Sequence, residues 1–367
     1  MKKIITSSAY GKEQRFESGQ LSEVDQKLMK IVDGLRTSIR VVGVGGAGGN
    51  TVTRLSEMGV EGVETITMNT DAQDLLYSVA DKKVLLGAEL TGGLGAGSDP
   101  SIGENAAKES LSEVTAALQG SDLVFITCGL GGGTGTGSAA VIAEAAKDAG
   151  AVTLAIVTLP FTVEGTTRQQ NAKKGFEALK KVADTVIVVP NDKLMEMVPN
   201  LPINSAFRFA DEMLANALKG MTDMIVRPGL MNLDFADLRI VLSNGGTAVI
   251  GVGESTSETF TGERSIEAME EALHCPLLDV DISDADRAIV NVIGGPDMTL
   301  QEAQAAVEHL SQRIHPHSNI IWGCQIDENL GKNSVKAMIV ISGIKSIAQL
   351  FGESSGGKAM DLEVEYI

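Results

Sequence analysis

Residues 129–137 read Gly-Leu-Gly-Gly-Gly-Thr-Gly-Thr-Gly, six glycines in nine positions. The apolar run Leu123–Cys128 stands ahead of them, and Ser138–Lys147 behind them carries good helix formers with apolar residues at helical spacing. A strand, a glycine loop and a helix N-terminus in that order make an anion site, usually for phosphate, because backbone N–H groups and the helix dipole converge there. Glycine permits φ > 0 and brings the backbone close to a ligand with no Cβ between. Thr134 and Thr136 add hydroxyl donors. A plain turn needs one or two glycines, not six. No lysine lies within or just after the loop, so it is not a Walker A motif.

Further loops of the same kind precede and follow it. Gly45-Gly-Ala-Gly-Gly-Asn50 follows a strand at Ile39–Val44, and Gly43, Gly45 and Gly48 satisfy G-x-G-x-x-G. Alone this is a weak dinucleotide fingerprint, and an NAD-dependent dehydrogenase calls for neither the second glycine loop nor a chain without a motif-placed catalytic His or Tyr. Asn69-Thr-Asp71 follows a strand at Val63–Met68, and Thr91–Pro100 holds Gly95-Ala-Gly-Ser98 after Val84–Leu86. A helix is expected over 103–118. Pro160–Arg168 follows a strand at Ala151–Leu159, and Pro190–Lys193 follows one at Thr185–Val189. Ligand-type loops at successive strand ends indicate an α/β, Rossmann-like, doubly wound and mostly parallel sheet.

The elements that must hold these loops continue through a long helix over 205–226, with Phe207, Ala210, Met213, Leu214, Leu218 and Met221 as its apolar stripe. Beyond it, Asn232, Asp234 and Asp237 put three polar groups into otherwise apolar sequence, a pattern that also suits a helix N-terminus. Strands at 246–252, 287–294, 319–325 and 334–342, with helices near 264–273 and 300–312, describe a smaller α+β domain. Residues 1–20 read as a mobile arm, and Ser22–Leu35 as an amphipathic helix with capping-box spacing. The expected division is 1–37 (arm and helix), 38–204 (nucleotide-binding domain), 205–228 (connecting helix), 229–346 (second domain) and 347–367 (short tail).

At 367 residues the chain can bury two cores. Its net charge of −18 makes nucleic acid and anionic lipid unsuitable direct partners, so an anionic nucleotide must be held by local donors and a cation. Cys128, Cys275 and Cys324 lie in apolar surroundings without metal spacing and read as reduced core residues, and His315-Pro-His317 as a surface turn. No apolar run reaches the roughly 18 residues of a membrane span, and no signal peptide is evident, so a cytoplasmic protein without direct membrane insertion is expected.

The segment GGGTGTG after a strand is the signature shared by tubulins and FtsZ, and the chain resembles that GTPase family over roughly 38–345, in the family's order. The resemblance implies GTP and GDP as ligands, with Mg²⁺ bridging the β- and γ-phosphates and no protein metal ligand assigned. It implies GTP-binding roles for Gly45, Gly46, Ala47, Gly48, Gly49, Asn50, Asn69, Thr70, Asp71, Gly95, Ala96, Gly97, Ser98, Gly131, Gly132, Gly133, Thr134, Gly135, Thr136 and Gly137. Glu164 and Arg168 would meet the ribose and phosphate region, with Asn191 near the same edge. Phe207 would stack on guanine, and Asp211 would accept from its N1–H and 2-amino group.

Asp234 and Asp237 would position the attacking water in the next subunit's site, with Asn232 toward the γ-phosphate. Hydrolysis would then require head-to-tail self-assembly, and such an open contact generates a filament. The implied setting is the cytoplasmic division ring at midcell. The alternative is a non-polymerising nucleotide-binding regulator of the same fold. The chain's end, with Met360, Leu362, Val364 and Tyr366 alternating with acids, is closer to archaeal members and is expected to meet division-site tethering proteins.

Overall fold

Apolar runs become strands wherever both of their faces are covered. The computed structural model describes residues 4–7, 12–15, 37–198, 202–226, 235–243, 245–256, 263–278, 280–328, 330–331 and 333–344. Two short strands, β1 (Ile4–Ser7) and β2 (Lys12–Arg15), pair antiparallel as a separate small sheet. The segment read as an N-terminal arm thus carries two short strands that were not expected. The segment carries little apolar patterning, so the sequence signalled no strands. The helix expected at 22–35 and the tail from 347 lie outside the described residues.

The nucleotide-binding half runs β3 (Ile39–Val44), α1 (Gly45–Glu57), β4 (Val63–Asn69), α2 (Ala72–Tyr77), β5 (Lys82–Leu85), α3 (Ala88–Thr91), α4 (Pro100–Glu109) and α5 (Leu111–Leu118). It continues with β6 (Leu123–Gly129), α6 (Thr134–Asp148), β7 (Val152–Leu159), α7 (Thr166–Val182), β8 (Thr185–Pro190) and α8 (Asn191–Met197). The expected helix over 103–118 is two helices. Ser110 is drawn out of the run: its hydroxyl accepts from Gly87 N–H at 3.0 Å and donates to the Leu85 carbonyl at 3.4 Å. The 24-residue α9 (Ile203–Val226) leads to α10 (Phe235–Leu242), β9 (Gly246–Ser255), α11 (Glu263–Leu273), β10 (Arg287–Gly294), α12 (Leu300–Ser311), β11 (Asn319–Ile326) and β12 (Val335–Ser342).

One ten-stranded sheet runs through both halves in the order β11-β10-β12-β9-β8-β7-β6-β3-β4-β5. It is parallel except where β12 meets β10 and β9. The halves join at three parallel pairs, Thr185–Gly246, Val186–Thr247 and Ile187–Ala248. A single apolar layer covers one face from end to end, with Val52 and Leu55 of α1, Leu214 and Leu218 of α9, Leu238 of α10, and Ile289 and Met338 beyond. The opposite face carries two separate layers, one under α4–α7 and one under α11 and α12.

From β3 the chain winds outward through β4 and β5, then returns to the other side of β3 for β6, β7 and β8. The direction therefore switches between β3 and β6, where the carboxyl ends of parallel strands leave a crevice. Both glycine loops emerge there.

Candidate nucleotide site

The two loops face each other across the switch. Gly45 has φ +70°, and a Cβ there would stand 3.0 Å from the Gly135 backbone nitrogen. Gly137 does a different job: a Cβ would come within 2.0 Å of the Pro100 carbonyl, so this glycine lets α6 lie against α4. The Thr136 hydroxyl accepts from Gly131 N–H at 2.8 Å and shapes the loop. Thr70 and Thr134 share a hydroxyl–hydroxyl bond of 2.6 Å that ties the β4 loop to the α6 terminus. Asp71 caps α2 by accepting from Gln73 and Asp74 N–H, and Gly95 N–H donates to the Thr70 carbonyl.

These contacts bound an open cleft of about 970 Å³. Of the expected site residues, Gly45, Gly46, Ala47, Gly132, Gly133, Thr134, Gly135, Glu164, Arg168, Asn191, Phe207 and Asp211 line it together. Gly45, Gly46, Gly49, Asn50 and Asn69 line an adjoining cavity of about 400 Å³. Gly48, Thr70, Asp71, Thr136 and Gly137 support the loops from behind, and Gly95–Ser98 and Gly131 line neither cavity. Leu94, before the Gly95 loop, is 88% exposed.

The far side of the cleft sets an exposed aromatic ring beside a carboxyl. Phe207 meets Phe161 edge-on at 5.3 Å and keeps its other surface exposed. One helical turn on, Asp211 presents a carboxyl that burial pushes up to about 6, against the pull of Arg54 and with a small addition from Glu212. Glu164 accepts from Phe161 N–H at 2.9 Å and pairs with Arg168, which holds both side chains at the cleft rim. The side-chain amide oxygen of Asn191, a residue of the cleft, is buried without a protein partner. A buried acceptor of this kind is met by a donor from water or from a ligand.

Sequence reading passed over some of the lining. Ala210 and Leu214 read as core stripe, and Thr158 as strand interior, yet all three border the cleft. Their signal was position at a strand's carboxyl end or one helical turn from Phe207. Cys128 also borders it, and burial pushes its thiol up to about 12, so it is a neutral wall. All three cysteines are buried and unbridged.

The acidic stretch lies elsewhere. Asn232 and Asp234 fall outside the described residues. Asp237 is exposed in the first turn of α10. The last turn of α10 sits at the amino ends of the strands, where the Thr185 hydroxyl donates to the Leu242 carbonyl at 2.6 Å and Arg287 donates to the Ser243 carbonyl at 2.8 Å. The cleft lies at the carboxyl ends, a strand length away, about 25 Å for the eight residues of β7. The helix that carries Asp237 is therefore anchored, by its last turn, at the end of the sheet opposite the cleft.

Among the described residues no group of three or more His, Cys, Asp or Glu is placed to hold a metal ion, and no helix is long and apolar enough to cross a membrane.

A family model described as the Tubulin/FtsZ family GTPase domain matches residues 38–199, and one described as the FtsZ family C-terminal domain matches 246–345. The chain is similar to the cell division protein FtsZ of Methanothermobacter thermautotrophicus, at 53% identity over 91% of this chain and 87% of that protein. It is 56% identical to cell division protein FtsZ 1 of Thermococcus kodakarensis, over 89% of this chain and 86% of that one. Among solved structures, an empty FtsZ dimer from M. jannaschii superposes with a TM-score of 0.83 at 54% identity, covering 89% and 93% of the two chains. A GTPγS-bound protofilament of CetZ2 from Haloferax volcanii shares the fold alone, with a TM-score of 0.74 at 22% identity over 86% and 97%.

Proposed function

This chain belongs to the tubulin/FtsZ family, and from that premise we propose that it hydrolyses GTP at a site completed by a second copy of itself. It is a tubulin-like GTPase of cell division. The observation that supports the shared-site reading is that the last turn of α10, the helix that carries Asp237, is bonded at the end of the sheet opposite the cleft.

In this reading the backbone of 45–50 and 131–137 receives the phosphates, and Glu164, Arg168 and Asn191 hold the ribose side. Phe207 and Asp211 take the guanine. Gly95–Ser98 belongs to the same set of nucleotide loops. A divalent cation such as Mg²⁺ held by the nucleotide's phosphates would offset their charge. Asp237, with Asp234 and Asn232, orders a water against the terminal phosphate in the neighbour's cleft. Such a contact uses different surfaces on its two sides, so repetition gives a filament rather than a closed dimer. The acidic, alternating tail would meet the division-site proteins that tether the filament at midcell.

GTP hydrolysis per subunit, measured across protein concentration, tests this. The rate should switch on above a threshold and be lost in Asp237→Ala, while GDP binding is retained. A rate per subunit independent of concentration would mean a site complete in one chain, as in a non-polymerising relative.

A further inference from the structure

The two edges of the large sheet are built differently. β5 closes one end with four residues, two of them lysines, the short and charged form that blocks further strand pairing. β11 closes the other end with eight residues, and Ile320, Ile321, Trp322 and Ile326 among them are apolar. Among the described residues it pairs only with β10. Asn319 and Asp327 N–H donate to the carbonyls of Asp286 and Gly294, at the two ends of β10, at 2.8 and 2.9 Å. Residues alternate along a parallel strand, so Ile320, Trp322, Cys324 and Ile326 turn their backbone groups to the open edge.

Beside that edge runs a largely apolar groove of about 780 Å³, lined by Trp322 and by Leu300, Gln304, Val307, Glu308 and Ser311 of α12. The α12 residues recur at helical spacing and form one stripe. A long apolar edge with a groove next to it is a template for one more strand.

We propose that residues 360–367 of the same chain dock there as an eleventh strand, parallel to β11, and cover the open edge.

That segment lies outside the described residues, and its sequence fits the edge in length, pattern and charge. It has eight residues against eight in β11. Met360, Leu362, Val364 and Tyr366 alternate with Asp361, Glu363 and Glu365, so when extended it has one apolar and one acidic face. The groove's one charged residue is Glu308, which accepts from Gln304 at 2.9 Å. Its charge turns the acidic face away, and the apolar face enters.

The path is short as well. Ser342, the last residue of β12, is in register with Arg287, and Arg287 with Asn319, so the chain leaves β12 near the amino end of β11. The docked strand would begin three strand spacings away, roughly 14 Å. Residues 343–359, 17 in all, form the link and include Ser354-Ser-Gly-Gly357. A flexible link of that length has a mean span of about 20–25 Å. A link whose span is close to the gap it crosses gives the docking segment an effective concentration in the millimolar range, enough for a single strand to hold. While docked, the tail is withheld from any other partner.

Trp322 is the chain's one tryptophan, so its emission reports on the groove directly. The test compares the full chain with the double variant Leu362→Asp, Val364→Asp, both with GDP, over a series of dilutions. Wild type should emit at the shorter wavelength and be less quenched by acrylamide, equally at every dilution. The variant, changed only in its tail, should shift to longer wavelength and be quenched more. An excess of a peptide of residues 360–367 should reverse both changes in the variant.

Identical emission and quenching in the two chains would overturn the proposal. So would a shift that the peptide does not reverse, since it marks a change elsewhere than in the groove. Protection of Trp322 that fades as wild type is diluted would also overturn it, and would assign the edge to a second copy of the chain.

Discussion

Phe207 leaves 46% of its surface exposed although Phe161 packs on its edge, an arrangement that costs solvation unless a second flat group covers the ring. We assign that cover to guanine. Phe207→Ala should weaken GDP binding by about 1–3 kcal/mol, roughly 5- to 150-fold, since this is the usual worth of a base stacked on an aromatic ring. Phe207→Trp should keep most of the affinity. The edge of the base is tested separately with inosine diphosphate, which lacks the 2-amino donor. Wild type should bind it more weakly than GDP by about 1–3 kcal/mol, the cost of a buried acceptor left unpaired. Asp211→Ala should bind the two nucleotides nearly alike. Equal affinities in wild type would remove Asp211 from the base edge. At this scale the sequence was informative because glycine and aromatic residues have few bland uses in such loops. It was silent on Thr158, whose place at the cleft depends on which strands become neighbours.

At the scale of elements, a buried ion cluster joins α11 to α12. Arg264 is 3% exposed and donates to both Glu302 oxygens and to Asp297, while Glu302 also closes a capping box with Thr299 at the start of α12. Burial alone would raise the Glu302 carboxyl, but the hydrogen bonds from Arg264 and Thr299 outweigh it and hold the group below its ordinary value. A depressed carboxyl stabilises the fold above its unfolded pKa and loses that contribution as pH falls through its folded one. Glu302→Gln should therefore cost about 3 kcal/mol at neutral pH, at the low end for breaking a buried pair because Asp297 remains. The gap to wild type in denaturant unfolding should close under acid, and a gap that held constant with pH would argue against the ionic account. Elements of this kind were largely legible in the sequence. The apolar runs of β3 and β10 were read with their observed bounds, because both faces of each are buried. The break at Ser110 was not, since its cause is a hydroxyl shared with Gly87 and Leu85, residues distant in sequence. Nor was the joining of β8 to β9, because apolar patterning marks a strand without naming its neighbour.

For the molecule as a whole, the two ends of the sheet present unlike surfaces. The cleft end exposes Leu94 and Val163, which are 88% and 92% accessible, and the opposite end exposes Ile240 on the same helix as Asp237. Apolar side chains exposed at both ends suit a contact in which one end of a subunit covers the other end of the next. That geometry makes a specific demand on mixtures. Ile240→Asp leaves the cleft end intact, so the variant should bind GDP normally and still dock its cleft onto a wild-type subunit. Its own acidic end would then accept no further subunit, and growth should stop there. A minor fraction of Ile240→Asp added to wild type should therefore reduce hydrolysis more than in proportion, because each molecule silences the filament beyond it. A closed two-fold dimer predicts otherwise. There each variant chain could spoil only the one partner it meets, and the loss would follow the mixing ratio. Hydrolysis per wild-type subunit, followed as the fraction of variant rises at fixed total protein, separates the two. A loss no steeper than pairing allows would reject the open, head-to-tail arrangement.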